Sequence, residues 1–574
     1  MSQSKSSLKK LTLYFIVPFT FVIAVKFMLQ EMNSDDLSYS EYSESNTATA
    51  SIVPKKIDYI FDVKPILSDR CYLCHGPDEG TREAGLRLDI RENAFGAIGE
   101  NLDRHAIVPG DTENSQLVFR INNPDQEKIM PPVHSNLTLS EYEKKVLTKW
   151  VEQGAEWKDH WAFIPPTKPN VPKLGNDNLA TNEIDNFIID KLTQKSLTPS
   201  EKASKEKLIR RVYFDLTGLP PTLEDIDVFL NDNNSNAYEK VVDKLLASEA
   251  YGERMTSEWL DVARYADTHG YQDDLERVMW PWRDWVIHAY NKNLPYDEFI
   301  KWQLAGDLLP DATMEQIVAT GFNRNHKITQ EGGVIAEEYR VEYVMDRTNT
   351  TAKALLGLTM ECARCHDHKY DPISMEEFYG FYAFFNQLKE KGQIGYSEIP
   401  KPNIEITSKE IEDVLTFIKM PDSIEKVNLM VMKEEDDFKR KTHILGRGVY
   451  DNPTEEVEFS TPSTLLEFTD KYDKNRLGLA NWFFDDENPL TARVAVNRLW
   501  QQMFGVGIVA SMADFGNQGD LPSHPELLDW LAITYREDGW DTKKMLKRIA
   551  MSHTYQQTSK TTPKLQTTDP NNVY

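Results

Sequence analysis

Cysteine is scarce in this chain of 574 residues, with four in all, so a disulfide-built scaffold is excluded. None lies near the N-terminal apolar run, which rules out a lipid anchor on cysteine there. No Gly-rich phosphate loop, zinc-protease helix or Gly-x-Ser-x-Gly elbow occurs, so those catalytic frameworks have no foothold. Alternating strand patterns are few. Basic charge is in deficit: 65 Lys and Arg stand against 91 Asp and Glu, a net charge of −26. Such a polyanion is repelled by nucleic-acid phosphates, which sets aside DNA and RNA as partners. A basic redox partner protein would be attracted, although an acidic surface is more often simply a soluble one.

What is present is a globular composition, 40% hydrophobic and 27% charged, and a length sufficient for three or four domains. Lys5, Lys9 and Lys10 precede an apolar run from Leu11 to Ala24 that continues past Lys26 to Leu29. Positive residues followed by a short apolar core read as an export signal, with Val22 and Ala24 as small residues at a cleavage site. The whole stretch is also about long enough to span a bilayer, so membrane anchoring through an uncleaved N-terminus is the rival reading. Residues 1–30 are therefore signal or anchor, and 31–56, rich in Ser, Asp, Glu and Thr, are a solvated tether. Both readings place the protein outside the cytoplasm, in the periplasm or at the cell surface.

Every cysteine falls in one of two short motifs, Cys71-Tyr-Leu-Cys74-His75 and Cys362-Ala-Arg-Cys365-His366. C-x-x-C-H is the attachment pattern of haem c. Two thiols bond to one edge of the porphyrin, and the adjacent imidazole supplies a proximal nitrogen to iron. The alternatives are a zinc knuckle, a redox dithiol and a local disulfide. A four-Cys zinc site has its pairs roughly 15–20 residues apart, whereas these lie hundreds apart, and both copies end in His. The expectation is one haem c at each motif.

The fold is expected to be mainly α, a cytochrome c-like domain at 57–163 followed by larger helical domains. In the first, Ile57, Ile60, Phe61 and Leu67 form an apolar stripe before the haem motif. Ser140 and Glu143 make a capping box that opens a helix burying Tyr142, Val146, Leu147, Trp150 and Val151. Met130, in Lys-Ile-Met-Pro-Pro, is the expected sixth ligand of the first iron, with His134 as competitor. Pro165 to Pro172 mark a linker. A helical domain with the second motif spans 180–395, a charged linker or insert 396–473, and a third helical unit 474–574. His269 and His326 are the candidates for the distal ligand of the second haem, each weighed against a hydrogen-bonded structural role. His368 lies too near its motif and is expected to orient a neighbour or line the haem edge.

The first unit resembles the planctomycete-type cytochrome C domain, on Phe61-Asp-Val-Lys-Pro-Ile-Leu67, the haem motif with Gly76-Pro77, Met130-Pro-Pro132, Gln153-Gly-Ala-Glu-Trp157 and His160-Trp-Ala-Phe163. The second resembles the domain of unknown function that follows it in such proteins. That likeness rests on Arg211-Val-Tyr-Phe-Asp-Leu-Thr-Gly-Leu-Pro-Pro221, Ala263-Arg-Tyr-Ala-Asp267, Glu338-Tyr-Arg-Val-Glu-Tyr343 and Cys362 to Pro372. The third resembles the C-terminal partner of unknown function, on Asn488 to Arg498 and Ser552-His-Thr-Tyr555. The resemblance implies a secreted or periplasmic haem protein and supplies no reaction. Its members usually continue well past the Ser-His-Thr-Tyr segment, so the third unit is expected to be truncated at Tyr574. The first functional expectation is electron transfer. The second is a haem-linked oxidoreductase whose large helical region positions a substrate such as a carbohydrate through Asp267, His269 or His326. The third is a binding or assembly protein with structural haems.

Overall fold

Ser140 and Glu143 satisfy each other's backbone donors as the sequence demands: the Ser140 hydroxyl accepts from Glu143 N at 3.2 Å, and Ser140 N donates to the Glu143 carboxylate at 2.6 Å. The same device opens the helix after Thr222, with Asp225 in the Glu position. These details belong to a computed structural model that describes residues 53–99, 104–175, 179–396, 398–435 and 437–574. The N-terminal stretch on which the export and anchoring expectations rest lies outside the described residues. Among the described residues no helix is long and apolar enough to cross a membrane.

The fold is mainly α, with 46% of it helical. In the first unit, α1 (Lys64–Arg70) starts with Pro65 in its first turn, where the missing N–H is no loss. It leads into the four-residue α2 (Tyr72–His75). The unit closes with α3 (Glu141–Glu152), and Arg70 on α1 pairs with Glu143 on α3 at 3.2 Å. Val63, Leu67, Val146, Leu147 and Trp150 are buried between them. Two expected members of this core differ. Phe61 is 40% exposed, because a π-helical turn over Tyr59–Val63 rotates it outward, and Tyr142 is only half-buried at the capped end.

A single buried core runs from Ala162 to Tyr555 and unites the remaining helices. They include α4 (Glu249–Val262), α5 (Ala336–Leu355) and α6 (Thr491–Phe504). The last begins after Leu490, and the Asn488 side-chain oxygen accepts from Leu490 N at 3.0 Å and Thr491 N at 3.1 Å. The charged stretch read as linker or insert carries two antiparallel hairpins, Asn403–Thr407 with Lys426–Met430 and Thr442–Leu445 with Pro453–Val457. The first buries Ile406, Val427, Leu429 and Met430 into the shared core.

The long motifs at the ends of this core dock its parts together. Arg211 donates to the carbonyls of Tyr555 and Gln557, the latter at 2.9 Å, and the Tyr555 hydroxyl donates to Asp215 at 2.6 Å. Buried Asp185 accepts from His553 N, Thr554 N and the Thr554 hydroxyl. Arg493 on α6 forms a two-point pair with Asp529 and holds the carbonyls of Trp161 and Ile164, which clamps the Pro-rich linker.

Candidate functional site

At the first motif, Cys71 N-caps α2 and His75 ends it, so both thiols and the imidazole lie on one short turn. Neither thiol is in a disulfide. Burial pushes the Cys71 thiol up to about 12, so it stays protonated at neutral pH. A ring nitrogen of His75, Nδ1, is buried without a partner, and burial lowers its affinity for a proton. Two unpaired thiols beside an imidazole with unspent capacity are the donor set that covalent haem requires. Gly76 follows because a Cβ there would sit 2.4 Å from the Tyr72 carbonyl oxygen. Met130 is partly buried, and its N–H donates to Arg120 O at 3.2 Å, while His134 lies exposed on a separate turn over Val133–Ser135.

The second motif begins on a 3-10 turn, Met360–Arg364, and ends just past it; Cys362, Cys365 and His366 are exposed, neither thiol is in a disulfide, and the Cys365 thiol donates to Arg447 O at 3.4 Å. His366 Nδ1 lies 2.6 Å from Asp367 O. A carbonyl can only accept, so Nδ1 is the donor here, which leaves Nε2 as the nitrogen that a metal would take. Arg364 between the cysteines is fixed by Glu342 on α5 at 3.0 Å and by Gly448 O. The donor set therefore fits a second attached haem.

The other histidines differ in what they have to offer. His326 donates from Nδ1 to Lys327 O at 2.8 Å, and its Nε2 lone pair accepts from Arg347 at 2.7 Å. Its ring stacks on Tyr343 with centroids 4.5 Å apart. Both ring nitrogens are spent, so this arrangement holds a structural histidine and leaves no pair for iron. Burial and the Arg347 and Arg324 guanidiniums hold it neutral, well below the ordinary histidine range. His368 Nδ1 accepts from Asp371 N at 2.8 Å and Tyr370 N at 3.3 Å. Its proton is then on Nε2, and it orients the turn after the motif. His269 is 5% exposed, with Nδ1 unpartnered, and faces a cavity. Burial, with Arg277 nearby, lowers it to about 4.

The two motifs, 291 positions apart in the sequence, are joined by one loop of the third unit. Gln518 donates to Ser68 at 2.8 Å, three residues before Cys71. Its neighbour Asn517 donates from its backbone to Asp371 at 2.7 Å and from its side chain to Tyr370 O at 2.7 Å, just past His366. Gly516 is required here, since a Cβ would lie 2.4 Å from the Asp371 carboxylate. Lys64 on α1 reaches the same junction. Burial lowers it to about 8 against the pull of Asp371 and Asp159. Sequence reasoning missed this junction, for which Asn517 and Gln518 carry no motif.

A cavity of about 360 Å³ opens between the end of α4, the 266–270 loop and α5. Arg264 sits at the C-terminal turn of α4 with φ +57°, and Tyr265 N donates back to Leu260 O at 3.0 Å. This is the left-handed position of a Schellman cap, where glycine is usual. An arginine there carries about 1–2 kcal/mol of backbone strain. Arg264 pairs with Asp346 at 2.7 Å, and Asp346 is one helical turn along α5 from Glu342, the partner of the second motif's Arg364. Asp267, considered earlier as a positioning residue, is exposed and accepts from the Tyr265 hydroxyl at 2.5 Å.

Comparison with known families gives the order that the motifs suggested. Residues 71–134 match the family described as Planctomycete cytochrome C. Residues 183–390 match Protein of unknown function (DUF1549), and 475–574 match Protein of unknown function (DUF1553). No curated protein and no solved structure matches the chain. The chain thus carries a planctomycete cytochrome c domain followed by two domains of unknown function, and the cytochrome c domain implies covalently bound haem c.

Proposed function

We propose that this protein is an exported dihaem c-type cytochrome that passes electrons between its two C-x-x-C-H sites and a redox partner protein. Cys71, Cys74 and His75, with Met130 as sixth ligand, would hold the first haem; Cys362, Cys365 and His366 would hold the second. Bound haem iron supplies a one-electron redox centre whose potential follows its axial ligands and burial. The carrying observation is the Ser68–Gln518–Asn517–Asp371 bridge, which ties the helix entering the first motif to the turn leaving the second. An acidic chain of charge −26 favours a partner with a basic face. Potentiometric titration of the full chain tests this: two one-electron waves are expected, and a single wave per chain defeats the reading.

A second reading, a haem-linked oxidoreductase, is favoured by one observation. The cavity at Arg264 borders the helix that fixes the second motif, with Asp346 and Glu342 four residues apart on α5.

A further inference from the structure

The lining of the 360 Å³ cavity is cationic in a strongly anionic protein. Arg264, Arg277 and Lys327 face it, with Asp346 as the one carboxylate among the lining residues. Arg277 is 7% exposed, and each of its guanidinium nitrogens donates to a carbonyl, those of Ala266, His326 and Asn325. It is positioned by dipoles and neutralised by no carboxylate. Arg264 offers Nε and Nη1, both buried and without partners. His269 is buried, lines the cavity and has an unpartnered ring nitrogen. Lys327 is exposed, and its ammonium rests over the Tyr271 ring, itself at φ +57°. Two acids at the rim, Asp274 and Glu331, are held by the backbone N–H groups of Gly270 and Gln272 and lie outside the lining. Strained backbone, unspent buried donors and a lining with more cationic than anionic side chains are the marks of a ligand site.

We propose that this cavity binds the oxyanion group of a small-molecule substrate, with Arg264 and Lys327 as its charged contacts, His269 as a hydrogen-bonding contact and Arg277 as a fixed positive charge behind them. Arg and Lys donors at a partly enclosed site suit both a planar carboxylate and a tetrahedral sulfate. The inference deepens the oxidoreductase reading by naming the chemistry of its substrate, but binding itself does not require haem.

The test is calorimetric titration of the full haem-loaded chain with sodium acetate and, separately, sodium sulfate at low ionic strength. One equivalent of saturable binding is expected, and the tighter anion identifies carboxylate or sulfate as the source. Lys327→Gln, an exposed change, should weaken binding at least tenfold with the haem spectrum unmoved. Arg264→Gly should do the same while keeping the fold, because glycine is at ease at that φ. Asp346→Asn, which removes the competing carboxylate, should tighten binding several-fold. No saturable heat with either anion, or equal affinity in wild type and Lys327→Gln, overturns the proposal. Haem counted on the same samples separates this failure from that of the haem-linked oxidoreductase reading on which the inference rests, since missing haem defeats that reading while leaving anion binding intact.

Discussion

Replacing His326 by Ala separates a structural histidine from an iron ligand. The wild-type ring accepts a hydrogen bond from the Arg347 guanidinium at 2.7 Å and stacks on Tyr343 at 4.5 Å. A hydrogen bond to a charged group contributes about 1.5–3 kcal/mol, and an aromatic pair about 0.5–1.5 kcal/mol. Arg347 would keep its two contacts with Glu390, from Nη1 at 2.5 Å and Nη2 at 2.6 Å, and its bond to Asn323 O, so the charge stays compensated. The expected loss is therefore about 2–4.5 kcal/mol. It should appear as a lower urea midpoint followed by circular dichroism, with the Soret and visible bands of the second haem unchanged. If the bands shift toward a high-spin form while the midpoint holds, His326 is a ligand and the hydrogen-bond assignment is wrong.

Three further outcomes follow from the same geometry. Ala at Gly516 would press a methyl group against the Asp371 carboxylate, 2.4 Å away; overpacking of this kind costs about 1–3 kcal/mol, and limited proteolysis should show faster cleavage at the 164–172 linker, whereas an unchanged rate would mean that the junction tolerates the methyl. Met130→Ala should lower the potential of one haem, within the roughly 0.8 V that axial ligands command, and leave it covalently attached; an unmoved potential would remove Met130 from the iron. His160, His326 and His524 are all held neutral by burial, the last lowered to about 4. Below pH about 6.5 the unfolded chain takes up these protons and the folded chain does not, so stability is full above 6.5 and falls as pH drops, by up to about 1.4 kcal/mol per pH unit for each group. Thermal midpoints at pH 7.5, 6.5 and 5.5 should fall in that order, with a shallower slope in His524→Gln; a flat profile contradicts the burial argument.

Local signals read well from the sequence. The first C-x-x-C-H motif, inside the matched cytochrome domain, and the capping box at Ser140 depend on neighbours a few residues away. The hairpins after residue 400 did not show, because Pro453–Val457 is almost wholly exposed and carries no apolar alternation. The Gln518–Ser68 contact joins residues 450 apart through two common polar side chains. Arg264 in a glycine's place gives no local cue, since its strain exists only once α4 ends there. Arg277 and Lys327 read as ordinary surface charges until the fold turns them toward one cavity.

The haem content of the purified full chain bears most directly on the dihaem assignment. From a host competent in cytochrome maturation, pyridine haemochrome analysis should give two haems per chain, falling to one when Cys362 and Cys365 are both changed to Ser. One haem in the wild type, or no Soret band at all, would contradict it.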